Sequence, residues 1–315
     1  VKEMGEAAMR ARMEQSAVRL LRNIFRVGVF ENPYLDGQTT KATVGKPEFM
    51  KAGYEAQLKS VVLLKNQQNT LPLSAMKTVY VPKRYTPASR NFLGMETPAS
   101  TDYPVSIEQL KKYFKVTENP DEADCALVFI QNPAASIGYD KEDVKNGGNG
   151  YVPISLQYQD YTATEARETS IAGGDPMENF TNRTYKNKSA KTPNITDMQL
   201  VADTKARMKN KPVIVSVSTT NPMIFSEIEK DASAILLNFG VQDQAIFDLL
   251  SGKAEPSALL PMQMPADMNT VEKQAEDIPF DMIPYFDSEG NRYDFGFGMN
   301  WKGVIKDARV KRYRK

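Results

Sequence analysis

Cys125-Ala126-Leu127-Val128-Phe129-Ile130 is an unbroken run of six apolar residues. A strand with one wet face alternates apolar and polar side chains, so a continuous run calls for cover on both faces, as in a parallel sheet. Two more runs have the same character, Pro212-Val213-Ile214-Val215-Ser216-Val217 and Ala234-Ile235-Leu236-Leu237-Asn238-Phe239. Helical patterns separate and follow them. Ile195 to Lys209 reads as a helix that Asn194 or Thr196 could cap, and Gln242 to Ser251 as one closed by Gly252. Strands alternating with helices predict right-handed βαβ units and an α/β fold with a mainly parallel sheet.

Working outward, Thr78-Val79-Tyr80-Val81 reads as a short strand ended by Pro82, Ile107 to Phe114 as a short helix, and Met223 to Ile228 as another. Upstream, residues 4 to 27 form one amphipathic pattern. Ala8, Met9, Met13, Ala17, Leu20, Leu21, Ile24 and Val27 recur at three- and four-residue steps, and Gly28 then Asn32-Pro33 stop it. A polar connector follows, and Pro47 to about Lys65 reads as a second helix. The chain opens at Val1-Lys2-Glu3-Met4 directly into helical sequence, which predicts a fragment or a processed piece. Residues 131 to 193 break the rhythm. They are rich in Gly, Asn, Asp, Thr and Tyr without a sustained period, as expected of a functional loop region, and their tyrosines at 139, 151, 158, 161 and 185 argue against disorder. They follow the carboxyl end of a strand, where open parallel sheets hold ligands.

Composition narrows the chemistry. With no histidine in 315 residues, Ser-His-Asp and Cys-His catalysis and histidine-bound zinc are excluded. The lone Cys125 can form neither a disulfide nor a thiolate cluster within one chain, and its apolar run predicts burial. A net charge of +1 offers no field to steer nucleic acid, and no stretch of about 18 apolar residues predicts a membrane span. Asp140, Glu142, Asp143 and Asn146 lack the spacing of an EF-hand loop, so no metal site is expected, and Gly147-Gly148-Asn149-Gly150 neither follows a strand nor opens a helix, as a phosphate loop would.

Four stretches in order resemble the family 3 glycoside hydrolases. Ser16 to Leu21 with Gly28-Val29-Phe30-Glu31-Asn32-Pro33-Tyr34 is similar to the helix and exit turn closing that family's N-terminal (β/α)8 barrel. Ser60-Val61-Val62-Leu63-Leu64-Lys65-Asn66 with Leu71-Pro72-Leu73 resembles the opening of its second domain. Phe239 to Ala245, Gly252-Lys253, Pro256, Leu260-Pro261 and Met264-Pro265 resemble that domain's distal half, and Tyr293-Asp294-Phe295-Gly296-Phe297-Gly298 its closing segment. The resemblance implies an (α/β)6-type α/β/α sandwich over residues 48–315, carrying the insertion at 131–193. Residues 1–47 would be the last barrel helix and an interdomain linker.

The same resemblance implies a retaining, exo-acting β-glycosidase of β-glucosidase type that needs no cofactor. Its partners would be a β-glycoside or oligosaccharide substrate and a barrel domain absent from this chain. A secreted or periplasmic location also follows from the family. Retaining glycosidases use two carboxylates about 5–5.5 Å apart. The family's nucleophile is a barrel aspartate, so no residue here takes that role. In many members the acid/base glutamate immediately precedes a Gly-x-Asp motif. Here Gly138-Tyr139-Asp140 is present, but Ile137 stands where the glutamate would be. The remaining candidates are Glu142, nearest in sequence, then Glu165, Glu168 and Glu178, of which Glu178 has apolar neighbours that could raise its pKa. Asp140 is expected to contact sugar hydroxyls, and Tyr139, Tyr151 and Tyr158 to stack on sugar rings or pack the loop. The alternative is a non-catalytic carbohydrate-binding or scaffolding domain, possibly a homodimer, which an exposed apolar face on the first helix would favour.

Overall fold

The three apolar runs are neighbouring strands of one eight-stranded sheet. This computed structural model describes residues 4–74, 76–90, 94–134, 138–165, 184–274, 278 and 280–313. The sheet strands are β1 (Val62–Asn66), β2 (Thr78–Tyr80), β3 (Lys115–Thr117), β4 (Cys125–Gln131), β5 (Val213–Ser218), β6 (Ala234–Asn238), β7 (Met299–Asn300) and β8 (Gly303–Val304). Across the sheet they run β8-β7-β1-β6-β5-β4-β2-β3. From β6 to β3 the pairing is parallel, with Ile214 opposite both Leu127 and Ala234, while β1, β7 and β8 pair antiparallel at the other edge. The mainly parallel α/β sandwich expected from the sequence is the fold.

Continuous burial explains the continuous apolar runs. Cys125 to Ile130, Val213 to Val217 and all of β6 are buried. Each fully covered Leu, Ile or Val contributes about 1.5–3 kcal/mol relative to an exposed one. Cys125 lies in this core, and burial pushes its thiol up to about 12, so it is an inert apolar filler.

The chain divides by its contacts into two units, Val1–Tyr54 and Glu55–Lys315. The first contains α1 (Glu6–Arg26) and α2 (Gly37–Thr43), the latter capped by Asp36, whose carboxylate accepts the Thr39 N–H at 2.6 Å. No residue of α1 is buried, and Leu20, Phe25 and Met13 are among its exposed apolar side chains. The division falls within α3 (Pro47–Leu58).

The second unit holds the sheet with α4 (Ile107–Leu110), α5 (Lys141–Lys145), α6 (Thr196–Met208), α7 (Asp243–Leu250), α8 (Met268–Lys273) and α9 (Ala308–Tyr313). Helix α6 packs on β4 and β5. Phe247 of α7 meets Phe129 of β4 and Tyr113 edge-on, at 6.5 and 5.6 Å between ring centroids.

Several boundaries differ from the sequence reading. The helix expected to reach Lys65 ends at Leu58, and the following apolar residues form β1, whose five residues are all buried. The helix expected over 107–114 is one turn, and that over 223–228 shrinks to the 3-10 turn Phe225–Glu227. Neither Asn194 nor Thr196 caps α6. Ile195 holds the cap position, and the Asn194 amide instead reaches Asp197 at 2.9 Å and the Asn132 carbonyl at 3.0 Å.

Candidate functional site

Strand β4 delivers the insertion to the carboxyl edge of the sheet, where buried polar bonds anchor its first residues. Asn132 Oδ1 accepts the Thr220 N–H at 3.1 Å, and Asn194 Oδ1 accepts that of Ala134 at 2.8 Å. Beside them Asp197, fully buried, receives Arg84 through two parallel bonds, Nε to Oδ1 at 2.6 Å and NH2 to Oδ2 at 2.8 Å. A forked guanidinium–carboxylate pair of this kind fixes both planes as well as their separation. The Gln131 N–H and the Asn194 amide complete the carboxylate's shell at 3.3 and 2.9 Å.

From Gly138 to Val152 the chain closes a compact loop. Gly138 and Gly150 have positive φ, and the chain doubles back so that Tyr139 bridges Tyr151. Their rings meet edge-to-face with centroids 5.9 Å apart. The Asp140 N–H donates to the Gly150 carbonyl at 2.8 Å. Asp140 also caps α5, its Oδ1 taking the Glu142 N–H at 2.9 Å. Asp143 ties the loop's inside together, accepting Lys188 Nζ at 2.6 Å and the Gly150 N–H at 2.7 Å. Those bonds, Lys188 first, hold its carboxyl below the usual value of 3.8.

The sequence candidates therefore fall into separate surroundings. Tyr139 and Tyr151 are brought together, with Asp140 beside them. Glu142 is exposed and pairs with Lys145 at 2.5 Å; Glu165 is exposed and lies 3.8 Å from Lys273. Neither described carboxylate sits in the dry surroundings a general acid requires. Glu178, with Glu168 and Ile137, lies outside the described residues. Of the two roles expected for Tyr158, stacking on sugar is ruled out and packing is found, because it is fully buried and its hydroxyl donates to the Gln131 carbonyl. It packs the root of the insertion, with no ring face open for a sugar. Burial, followed by the nearby Asp197 and Glu227 charges, raises its pKa well above the ordinary phenol value.

Two carboxylates that the sequence reading did not single out position the insertion. Glu227 accepts the Tyr158 and Gln159 N–H groups at 2.6 and 2.9 Å, and burial raises its pKa although these bonds oppose the shift. Glu272 on α8 takes the hydroxyls of Tyr161 and Tyr185 at 3.2 and 2.9 Å, pinning the far end. Both contacts join residues more than 65 positions apart, so no local pattern announces them.

The family model for the glycosyl hydrolase family 3 C-terminal domain matches residues 61–301. A probable beta-glucosidase C from Aspergillus flavus is 25% identical over 290 residues, covering 92% of this chain and 35% of its own length. The periplasmic beta-glucosidase/beta-xylosidase of Dickeya chrysanthemi is 24% identical over 289 residues, covering 92% and 34%. The chain thus spans little more than a third of these curated relatives. Among solved structures, a beta-glucosidase from Listeria innocua in complex with glucose superposes with a TM-score of 0.51 at 18% identity, over 90% of this chain and 38% of that one. At that identity the likeness establishes the fold.

Proposed function

Since the chain belongs to glycoside hydrolase family 3, matching the family's C-terminal domain, we propose that it is the sandwich part of a retaining, exo-acting β-glycosidase. The family match over residues 61–301 carries this reading. The substrates are terminal β-linked sugars, β-glucosides first, in keeping with the names of the relatives. A (β/α)8 barrel supplies the nucleophilic aspartate, and residues 1–47 are the last barrel helix and linker, with the sandwich from 48 onward. The insertion at 131–193 lies over the barrel's mouth, with Asp140 meeting sugar hydroxyls and Tyr139 and Tyr151 offering aromatic faces.

Hydrolysis then takes two steps. The barrel aspartate attacks the anomeric carbon as the glycosidic oxygen leaves with a proton, and water activated by the same proton-transfer group releases the sugar. Glu178, with apolar sequence neighbours, is the first choice for that group. Glu142 and Glu165 rank behind it, because a solvated carboxylate beside a lysine is a poor proton donor near neutral pH. The location is periplasmic or secreted, in keeping with the Dickeya relative's name.

A non-catalytic carbohydrate-binding or scaffolding role, with homodimer formation, is the second reading. The exposed apolar side chains of α1 favour it, because such a stripe is normally covered by a partner. Hydrolysis of aryl β-glucosides and β-xylosides separates the possibilities. The chain alone is expected to give none, and the same sandwich joined to its barrel is expected to give turnover that Glu178→Gln abolishes. Turnover by the chain alone, lost on changing one loop carboxylate, would overturn the assignment of the nucleophile to the barrel.

A further inference from the structure

At the carboxyl ends of β4, β5 and β6 the sheet opens into a crevice of about 210 Å³. Its place follows from the winding. The chain leaves β2 for β3 on one side, then crosses back past β2 to β4 and continues outward to β5 and β6. Gln131 at the end of β4 and Arg84, four residues beyond β2, both line the crevice, so it borders the point where the winding reverses. Connections diverge there, and open parallel sheets bind ligands at such a point.

The polar wall consists of Arg84, Gln131, Ser216, Ser218, Asn238 and Asp243. Its charges exclude an anion. The Arg84 guanidinium is already spent on both oxygens of Asp197, and the other charged lining group is the Asp243 carboxylate, which accepts the Ser106 N–H at 2.8 Å. The open capacity is neutral. Gln131 accepts from Arg84 at 3.2 Å, leaving its amide N–H groups, like the Ser218 hydroxyl, without a partner among the described residues. Ser216 Oγ accepts Asn238 Nδ2 at 3.3 Å and keeps its own O–H to donate. Val105 and Ile246 add apolar surface to the same lining.

We propose that this crevice binds one neutral sugar ring. Sugar hydroxyls both donate and accept, matching amide and hydroxyl donors beside a carboxylate acceptor, and a pyranose C–H face matches the apolar surface. At about 210 Å³ the crevice is below the roughly 300–1,000 Å³ of drug-sized clefts, so its occupant is small. Binding here needs neither a nucleophile nor a proton donor, so the inference stands or falls apart from the hydrolase reading.

The test titrates the 315-residue chain with D-glucose and D-xylose, with inorganic phosphate as the charged control, following backbone amide shifts by NMR. The expected result is saturable, millimolar binding of at least one sugar, with shifts gathered at Gln131, Ser216, Ser218 and Asn238. Ser218→Ala and Gln131→Met should each weaken it by about tenfold, the scale of one or two lost hydrogen bonds. Ser218→Ala removes a single hydroxyl, so it keeps the test valid should Gln131→Met disturb the fold. Absence of saturation, shifts centred on 138–151, full affinity in folded variants, or competition by phosphate would each overturn the proposal.

Discussion

Lys65 Nζ lies 2.5 Å from Glu229 Oε1 and 3.0 Å from the Glu229 carbonyl oxygen, with both side chains almost completely buried. The carboxylate is further satisfied by the Ser288 hydroxyl at 2.7 Å and the Tyr285 hydroxyl at 3.1 Å. Lys65 belongs to β1, so this pair joins the strand to the segment before β6 and to the 285–288 turn. Removing one partner strands the other charge. Lys65→Met is therefore expected to cost about 3–5 kcal/mol in urea unfolding. The double change Lys65→Met with Glu229→Gln should recover part of that loss, because no full charge is left buried. A single-variant cost below about 1 kcal/mol would mean that water reaches the pair.

The same pair sets a pH dependence. Burial opposes ionisation of Glu229, but the bonds from Lys65 and Ser288 outweigh it, and the carboxyl sits below its ordinary 4.5. A depressed folded value means that unfolding takes up a proton. The stabilisation is complete above 4.5 and is lost as pH falls through the folded value. In Lys65→Met, burial acts unopposed by the ammonium, so the folded value rises and this contribution changes sign. As pH falls toward 4.5, stability of the variant should increase while this contribution stays level in the parent, and only below 4.5 should the parent decline. Unfolding midpoints across the acid range check the two slopes.

Gly150 is where the 138–152 loop turns, with φ +83°. A Cβ there would lie 2.4 Å from the Tyr139 ring and 2.8 Å from Val144. Gly150→Ala should thus displace Tyr139 from Tyr151, with backbone strain of about 1–2 kcal/mol. Faster hydrogen exchange is expected at the Asp140 and Gly150 amides, while β4 and β5 retain their protection. Unchanged exchange in the loop would show that the ring moves aside without opening it.

How much could be read in advance depended on whether a residue's partners were near in sequence. The strands β4, β5 and β6 were legible because cover on both faces leaves an unbroken apolar run. Strand β1 was not, since Val61-Val62-Leu63-Leu64 follows a helix without a Gly or Pro, and a short apolar run fits either period. Gly138-Tyr139-Asp140 was legible as a motif, but the contact of the Tyr139 ring with Tyr151 was not. Tyr158 was not separable from its neighbours, because its burial depends on the Gln131 carbonyl, 27 residues away. Arg84 and Asp197 lie 113 positions apart, and only the crossover from β2 to β4 unites them. Asp143 and Glu142 are adjacent and look alike, yet only Asp143 points at Lys188.

The closing Tyr293-Asp294-Phe295-Gly296-Phe297-Gly298 segment offers the last prediction. It pairs with residues 258–260: the Leu260 N–H donates to Phe297 O at 2.7 Å, and the Gly296 N–H to Leu260 O at 2.9 Å. That approach leaves no room at Gly298, where a Cβ would stand 2.2 Å from the Ala258 carbonyl oxygen and 3.3 Å from Leu259 Cα. The obstacle is backbone, held by those two bonds, and cannot rotate aside as a side chain could. Gly298→Ala should exceed the roughly 1–3 kcal/mol of ordinary overpacking. Gly290→Ala is the control, because Gly290 has φ +80° but nothing within 4 Å of its Cβ direction, so only the backbone cost of about 1–2 kcal/mol applies. Denaturant midpoints should rank the parent above Gly290→Ala and Gly290→Ala above Gly298→Ala. Equal losses in the two variants would show that the 258–260 and 296–298 segments separate more readily than their hydrogen bonds imply.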